Sequence, residues 1–203
     1  FKTAKDDLSK RLKELNHELN LLLHKQAVAI PYDKWLLSYQ PFHWFAEFYD
    51  IMNEFGGFDV IIGNPPYVEY SAIKKLYTLK DFQCIKAGNL YAYVIERCYK
   101  LMKPKSRIGM IIQMSAFCTP RMEDFQKIWF KKSEQSYISF FDDRPGKLFD
   151  GLEHIRVAIC ISEFGKVENK LIGTSNYVKF KTEFRPSLFS NLFYVLNDNS
   201  RKE

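Results

Sequence analysis

Leucines at positions 8, 12, 15, 19 and 22 alternate spacings of four and three, with charged residues between them. That rhythm keeps one apolar stripe along a helix, expected here over residues 3 to 27. So short a stripe ordinarily packs on its own domain; a short coiled coil with a partner helix is the alternative. Residues 31 to 57 break the rhythm, mixing Trp35, Phe42, His43, Trp44, Phe45 and Phe48 with Pro31, Pro41 and the pair Gly56-Gly57. One or two short helices between irregular connections fit such punctuation. The run Asp59-Val60-Ile61-Ile62, bounded by Gly57 and Gly63, then reads as a strand buried on both faces.

Downstream the pattern alternates. Asn89 to Met102 predicts a helix with Leu90, Val94, Cys98 and Leu101 on one face and Lys103-Pro104 as its stop. Arg107 to Met114 predicts a second buried strand, Pro120 to Lys132 a second helix opened by proline, and Tyr137 to Phe141 a third strand. This β-α-β-α-β order implies a parallel sheet with helices on its faces. Ile155 to Phe164 is a further strand. The connection from Asp142 to Glu153 is too short for a helical crossover, so that strand is expected to run antiparallel to its predecessor. One more strand is expected at Tyr177 to Lys181. The organisation is then a helical segment over 1–57, an α/β subdomain over 58–165, and a linker over 166–203.

A chain of 203 residues that is 46% hydrophobic can bury one substantial core, which argues against a disordered polymer. Thirty basic against 24 acidic residues leave a net charge of +6, a balance that favours an anionic partner such as nucleic acid without demanding one. Cys84, Cys98, Cys118 and Cys160 lie far apart among apolar neighbours, with no Cys-x-x-Cys pair, so neither a metal site nor a disulfide framework is expected. No apolar run approaches the roughly 20 residues of a membrane span, and the amino terminus is a charged helical pattern in place of a signal peptide. A cytoplasmic, reducing location with no membrane partner is the expectation.

Candidate chemistry concentrates at Asn64-Pro65-Pro66-Tyr67, directly after the first strand. In open parallel α/β sheets, ligands bind beyond the carboxyl ends of the strands. Asn64 offers a side-chain carbonyl and Pro65 a backbone carbonyl, while two adjacent prolines stiffen the chain. Two fixed acceptors can hold an exocyclic amine. An amine conjugated to a planar ring is a poor nucleophile, because its lone pair is delocalised. Accepting hydrogen bonds from both its protons favours the localised, tetrahedral form that attacks a sulfonium methyl. Tyr67 would stack on the ring, an interaction of about 1 to 3 kcal/mol per base. A plain turn is the alternative for Asn-Pro-Pro, but the preceding Phe58-Asp59-Val60-Ile61-Ile62-Gly63 strand favours a site.

The stretch Pro41-Phe42-His43-Trp44-Phe45 through Gly56-Gly57-Phe58-Asp59-Val60-Ile61-Ile62-Gly63-Asn64-Pro65-Pro66-Tyr67 resembles the type IIG restriction-modification methylases, adenine-specific DNA methyltransferases of the gamma motif order. The likeness continues through Asn89-Leu90-Tyr91 with Glu96-Arg97 and through Arg107-Ile108-Gly109-Met110-Ile111-Ile112. It reaches Arg144-Pro145-Gly146-Lys147-Leu148-Phe149-Asp150-Gly151, covering about residues 40 to 185. The resemblance implies N6-adenine methylation, with S-adenosyl-L-methionine (AdoMet) as methyl donor and double-stranded DNA as partner. It also implies an α/β fold, the carboxyl half of a Rossmann-like AdoMet-dependent methyltransferase, with parallel strands closed by an antiparallel hairpin and preceded by the amino-terminal helix. On the same footing, Asn64, Pro65, Pro66 and Tyr67 hold the flipped adenine and Phe149 contacts its other side. Leu90 and Tyr91 help to line the cofactor pocket. Core packing would account for Phe149, Leu90 and Tyr91 as well, and Asp is commoner in the family where Asn89 stands. Lys74, Lys75, Lys80 and Lys86 lie in the connection after Tyr67, where they either approach phosphates or are simply solvated.

The family's AdoMet site is a glycine-rich turn after the first strand and an acidic residue ending the second, both upstream of Asn-Pro-Pro-Tyr. Residues 1 to 57 hold neither. No target-recognition or nuclease segment is recognisable either. The expectation is therefore a catalytically incomplete fragment of a methylase, or a truncated gene product, beginning at Phe1 and ending in the polar string Asn197 to Glu203. Its stripped sheet edge would be masked by the amino-terminal helix, by a partner half or by self-association. Two other readings stay open. One is a methyltransferase of another planar amine or amide, on protein glutamine or an RNA base. The other is a non-catalytic DNA-binding or assembly module whose leucine stripe docks a partner.

Overall fold

The computed structural model describes residues 2–26, 30–76, 78–151, 154–165 and 170–198. Two units separate, Phe1–Gly57 with Ser71–Asp81, and Phe58–Tyr70 with Phe82–Glu203. The expected linker over 166–203 is in part outside the described residues.

Helices α1 (Lys2–His24), α2 (Tyr32–Tyr39), α3 (Trp44–Glu47) and α4 (Tyr49–Asn53) belong to the first unit, and α5 (Tyr70–Ile73) follows in chain order. Tyr32, Trp35 and Tyr39 fall three and four residues apart, hence on one face of α2, and stack with ring centroids 6.0 and 6.2 Å apart. Gln40 ends α2 in the left-handed conformation at φ 41°, its N–H closing on the Leu36 carbonyl. The leucine stripe of α1 is covered only in part: Leu12 and Leu19 are half-buried. Leu8, Leu15 and Leu22 are 68%, 45% and 56% exposed. Asn16, Asn20 and His24, one helical turn apart, face the neighbours instead. Asn16 Nδ2 donates to Glu47 Oε1 at 2.9 Å, Asn20 Oδ1 meets His43 Nε2 at 2.8 Å, and the His24 ring lies 5.4 Å from that of Trp35.

The second unit is a six-stranded sheet of β1 (Phe58–Gly63), β2 (Met102–Gln113), β3 (Ser133–Phe141), β4 (Val157–Phe164), β5 (Leu171–Val178) and β6 (Tyr194–Asp198). Between these strands run α6 (Leu90–Leu101), α7 (Ser115–Cys118) and α8 (Glu123–Lys132). The lateral order is β1-β2-β4-β3-β5-β6. Strands β1, β2, β3 and β5 point one way, and β4 and β6 point the other. As expected, β4 is antiparallel to β3, but it lies inside the sheet, in the slot that the α8 crossover leaves between β2 and β3. Strands β5 and β6 lie in the stretch read as a linker, and β5 begins before the expected Tyr177.

Both crossovers, β1-α6-β2 and β2-α8-β3, step the same way across the sheet, so right-handed connections put α6 and α8 on one face. That face is the core. Tyr91, Ala92, Ile95, Cys98 and Tyr99 of α6 are buried, as are Phe125 and Trp129 of α8 and Ile108, Met110, Ile112, Ile138, Ala158 and Cys160 of the sheet. Trp129 Nε1 donates to Ser136 Oγ at 2.8 Å, tying α8 to β3. The expected inner face of α6 is rotated in the fold: Val94 is exposed, and the aromatic Tyr91 and Tyr99 take the core. α6 stops at Leu101 and β2 starts at once. Pro104 falls where the β1–β2 register slips, an irregularity that suits a residue without an N–H.

The expectation that β1 is buried on both faces is corrected. It is an edge strand of this sheet, with Val60 57% and Ile62 78% exposed. A β-branched run marks a strand but does not say which of its faces another element covers. Ile62 heads a row of cross-strand neighbours, Gly109, Ile161, Tyr137, Gly173 and Leu196. Within that row Ile161 and Leu196 are also about half exposed to solvent. Among the described residues no helix is long and apolar enough to cross a membrane.

Candidate active site

Asn64-Pro65-Pro66-Tyr67 leaves the carboxyl end of β1, where Gly63 pairs with Met110 of β2. Asn64 and Pro66 are exposed, Pro65 is buried and Tyr67 is half-buried. The Tyr67 hydroxyl donates to the Ile111 carbonyl at 3.1 Å, and its ring meets that of Tyr91 edge to face, with centroids 6.3 Å apart. Burial, with smaller contributions from Cys160 and Tyr91, pushes the Tyr67 phenol up to about 12, so it stays a neutral donor at physiological pH. Tyr67 also packs against a small apolar cluster of Phe141, Leu148, Val157, Phe180 and Leu188.

The chain beyond Tyr67 is stitched to the start of α6. The Leu90 amide donates to the Val68 carbonyl at 2.9 Å and the Tyr70 amide to the Gly88 carbonyl at 2.7 Å. Asn89 is the N-cap of α6, its side chain accepting from the Tyr91 amide, while its Nδ2 donates to Glu69 Oε1 at 3.1 Å. Arg121 pairs with the other Glu69 oxygen. Gly88 sits at φ +67°, and a Cβ there would run into the Arg121 guanidinium, so glycine permits both the turn and the ion pair.

Of the residues singled out from sequence, the fold therefore joins Asn64 to Tyr67, Leu90 and Tyr91. Tyr91 is fully buried, its hydroxyl 3.6 Å from Met122 Sδ, and it supports Tyr67 from beneath. Leu90 is only half-buried. Phe149 is 37% exposed; its neighbour Leu148, not Phe149, enters the apolar cluster beside Tyr67. Glu69 and Arg121 went unnoticed in the sequence. They are 52 positions apart, and no local pattern links them. Asn89 was legible as the start of a helix, and its role as the cap could have been read too, because Asn before an apolar helical run is a capping signal. As a wall for AdoMet, these residues offer Leu90 and the exposed side of Asn64-Pro65-Pro66-Tyr67. No glycine-rich strand-to-helix turn accompanies them among the described residues.

A mixed sheet in which the antiparallel β4 is wedged between β2 and β3, with Asn-Pro-Pro-Tyr at the carboxyl end of β1, is the carboxyl half of a Rossmann-like AdoMet-dependent methyltransferase fold. The family model of the Eco57I restriction-modification methylases matches residues 2–146, and the chain belongs to that family. A protein of Methanocaldococcus jannaschii, described as a type II restriction enzyme and methyltransferase, is 26% identical over 163 residues, 78% of this chain and 13% of the relative. Two solved structures share the fold. One is a nuclease-deletion mutant of the type ISP restriction-modification enzyme LlaGI in complex with a DNA substrate mimic, with TM-score 0.54 and 16% identity over 68% of this chain and 17% of that one. The other is the DrdV–DNA complex, with TM-score 0.54 and 14% identity over the same shares. The chain thus spans a small part of the length of each.

Proposed function

We propose that this chain supplies the target-base half of a DNA adenine-N6 methyltransferase of a restriction-modification system, acting on double-stranded DNA with AdoMet as methyl donor. The observation that carries this reading is the Asn64-Pro65-Pro66-Tyr67 turn at the carboxyl edge of the sheet. Its Asn64 side chain lies at the surface beside the buried Pro65, and its tyrosine is fixed at both ends, by Ile111 and by Tyr91.

Adenine N6 lies inside the duplex, so the base must be rotated out, at a cost of a few kcal/mol that pocket contacts offset. In the pocket, Asn64 Oδ1 and the Pro65 carbonyl accept the two N6 hydrogens and draw the amine toward the tetrahedral form. Tyr67 stacks on the purine, and its hydroxyl bond to Ile111 keeps the ring from swinging. Phe149, exposed after the Arg144–Leu148 turn, is the side chain for the opposite face of the base. AdoMet, when bound, supplies an electrophilic methyl on a sulfonium. Asn64 and Pro65 would leave the localised N6 lone pair free to face that methyl, with the amine's surplus proton able to pass to solvent. The residues of this chain orient the amine and exclude water from one side of it.

The test is to map modified bases in DNA from cells expressing the gene that encodes this chain. N6-methyladenine at one defined sequence is expected. Asn64→Ala should lower methylation by about a hundredfold or more, the usual effect of removing an aligned transition-state hydrogen bond. Methylation that persists in Asn64→Ala, or modification of a base other than adenine, would refute the assignment.

A further inference from the structure

The carboxyl ends of β2, β3 and β5 open onto a cleft of about 1180 Å³ whose lining includes Gln113, Cys118, Arg144, Ile155, Arg156 and Lys179. A chain of ion pairs runs through it. Lys179 Nζ lies 3.4 Å from Asp142 Oδ2, and Arg156 Nε lies 3.3 Å from Asp142 Oδ1 and 3.6 Å from Asp143 Oδ1. Arg144 Nε lies 3.9 Å from Asp143 Oδ2, and its Nη2 lies 2.8 Å from His154 Nδ1. The two signs differ in exposure. The Asp142 and Asp143 side chains are 6% and 10% exposed, whereas those of Arg156, Lys179 and Arg144 are 58%, 66% and 72% exposed. Ordinary surface pairs expose both partners and contribute little. Here buried carboxylates hold three cations outward, one more positive than negative charge among the described residues of this network.

We propose that this cleft seats the phosphodiester backbone of the strand whose base enters the Asn64–Tyr67 pocket. Arg144, Arg156 and Lys179 contact phosphate oxygens, and Asp142 and Asp143 are positioning residues beneath them. The assignment rests on the base-pocket reading above. The two places adjoin: Tyr67 bonds to Ile111, and Gln113, two residues further along β2 and so roughly 7 Å away, lines the cleft. Ile155 both lines the cleft and packs on the apolar cluster that Tyr67 joins. A base rotated out of the duplex stays bonded to its sugar and phosphates, so its pocket needs a cationic seat close by. Arg156 is held by Nε and its side chain is 58% exposed, which leaves the two outer nitrogens of its planar guanidinium available to a phosphate.

Cys118 is the exposed one of the four cysteines and lines this cleft, which makes it a built-in reporter. Binding of the chain to a short duplex would be followed across a salt series, together with alkylation of Cys118 with and without duplex. Arg156→Ala and Lys179→Ala should each reduce the salt slope by about one and the affinity about eightfold at 0.1 M salt. Arg156→Lys should restore the slope, Lys131→Ala on α8 should leave it unchanged, and duplex should protect Cys118. Unchanged slopes with an unprotected Cys118, or no duplex binding at all, would overturn the phosphate seat. Protection by inorganic phosphate alone would mark a free-anion site and overturn it too. If methylation still required Asn64 in those cases, the base pocket would stand without this seat. If Asn64→Ala still methylated while Cys118 stayed protected, the base-pocket reading would fail instead.

Discussion

Tyr67 is held at two points, its ring edge against Tyr91 and its hydroxyl on the Ile111 carbonyl. Removing only the second, in Tyr67→Phe, should lower folding stability by about 1 kcal/mol in urea denaturation, the usual net contribution of one hydrogen bond. The pH dependence follows from the raised phenol. The fold favours the neutral form, so this contribution is complete below the ordinary tyrosine value of 10.0 and is lost as pH rises through about 12. Tyr67→Phe should therefore delete one late-titrating phenol from the ultraviolet titration of the folded chain, and an unchanged late phase would contradict the burial described. The tyrosine was legible in the sequence as the end of a motif. Its partners were not: Ile111 is 44 residues away, and that reach is set by β1 pairing with β2.

At the level of elements, the entry into α6 is what connects the motif to the helical layer. Asn89→Ala removes the N-cap and the donor to Glu69, and should cost about 1 kcal/mol by chemical denaturation. Asn89→Asp, the residue commoner in the family, keeps a capping acceptor but turns a carboxylate toward Glu69, so it should recover only part of that loss. Equal destabilisation by both would mean that the bond to Glu69, and not the cap, is what matters. The helix itself was legible from its apolar rhythm and the Lys103-Pro104 stop. Its inner face was misjudged because Tyr91 and Tyr99 count weakly in an apolar pattern and yet bury large rings.

Over the whole molecule, the sheet is covered unequally. Ile138 of β3, under the helices, is 1% exposed, whereas Ile161 on the adjacent β4 is 50% exposed on the opposite face. Ile161→Thr should change stability by no more than about 0.5 kcal/mol, whereas Ile138→Ala should cost about 2 to 5 kcal/mol in the same denaturation assay. A large effect at Ile161 would mean that this face is buried in solution. The sequence by itself determined the order of strands and helices from Phe58 to Phe164, the antiparallel return after Phe141, and the position of Asn-Pro-Pro-Tyr beyond a strand. Each of these is encoded locally, in a two- or 3.6-residue period, a short connection or a contiguous motif. Only the tertiary structure decided that β4 slides between β2 and β3, that β1 keeps an open face, and that Leu8, Leu15 and Leu22 of α1 are exposed. It alone brought Lys179 to Asp142 and Glu69 to Arg121. Lateral strand order, face coverage and ion pairing depend on residues tens of positions apart, and no local period records which of them will meet.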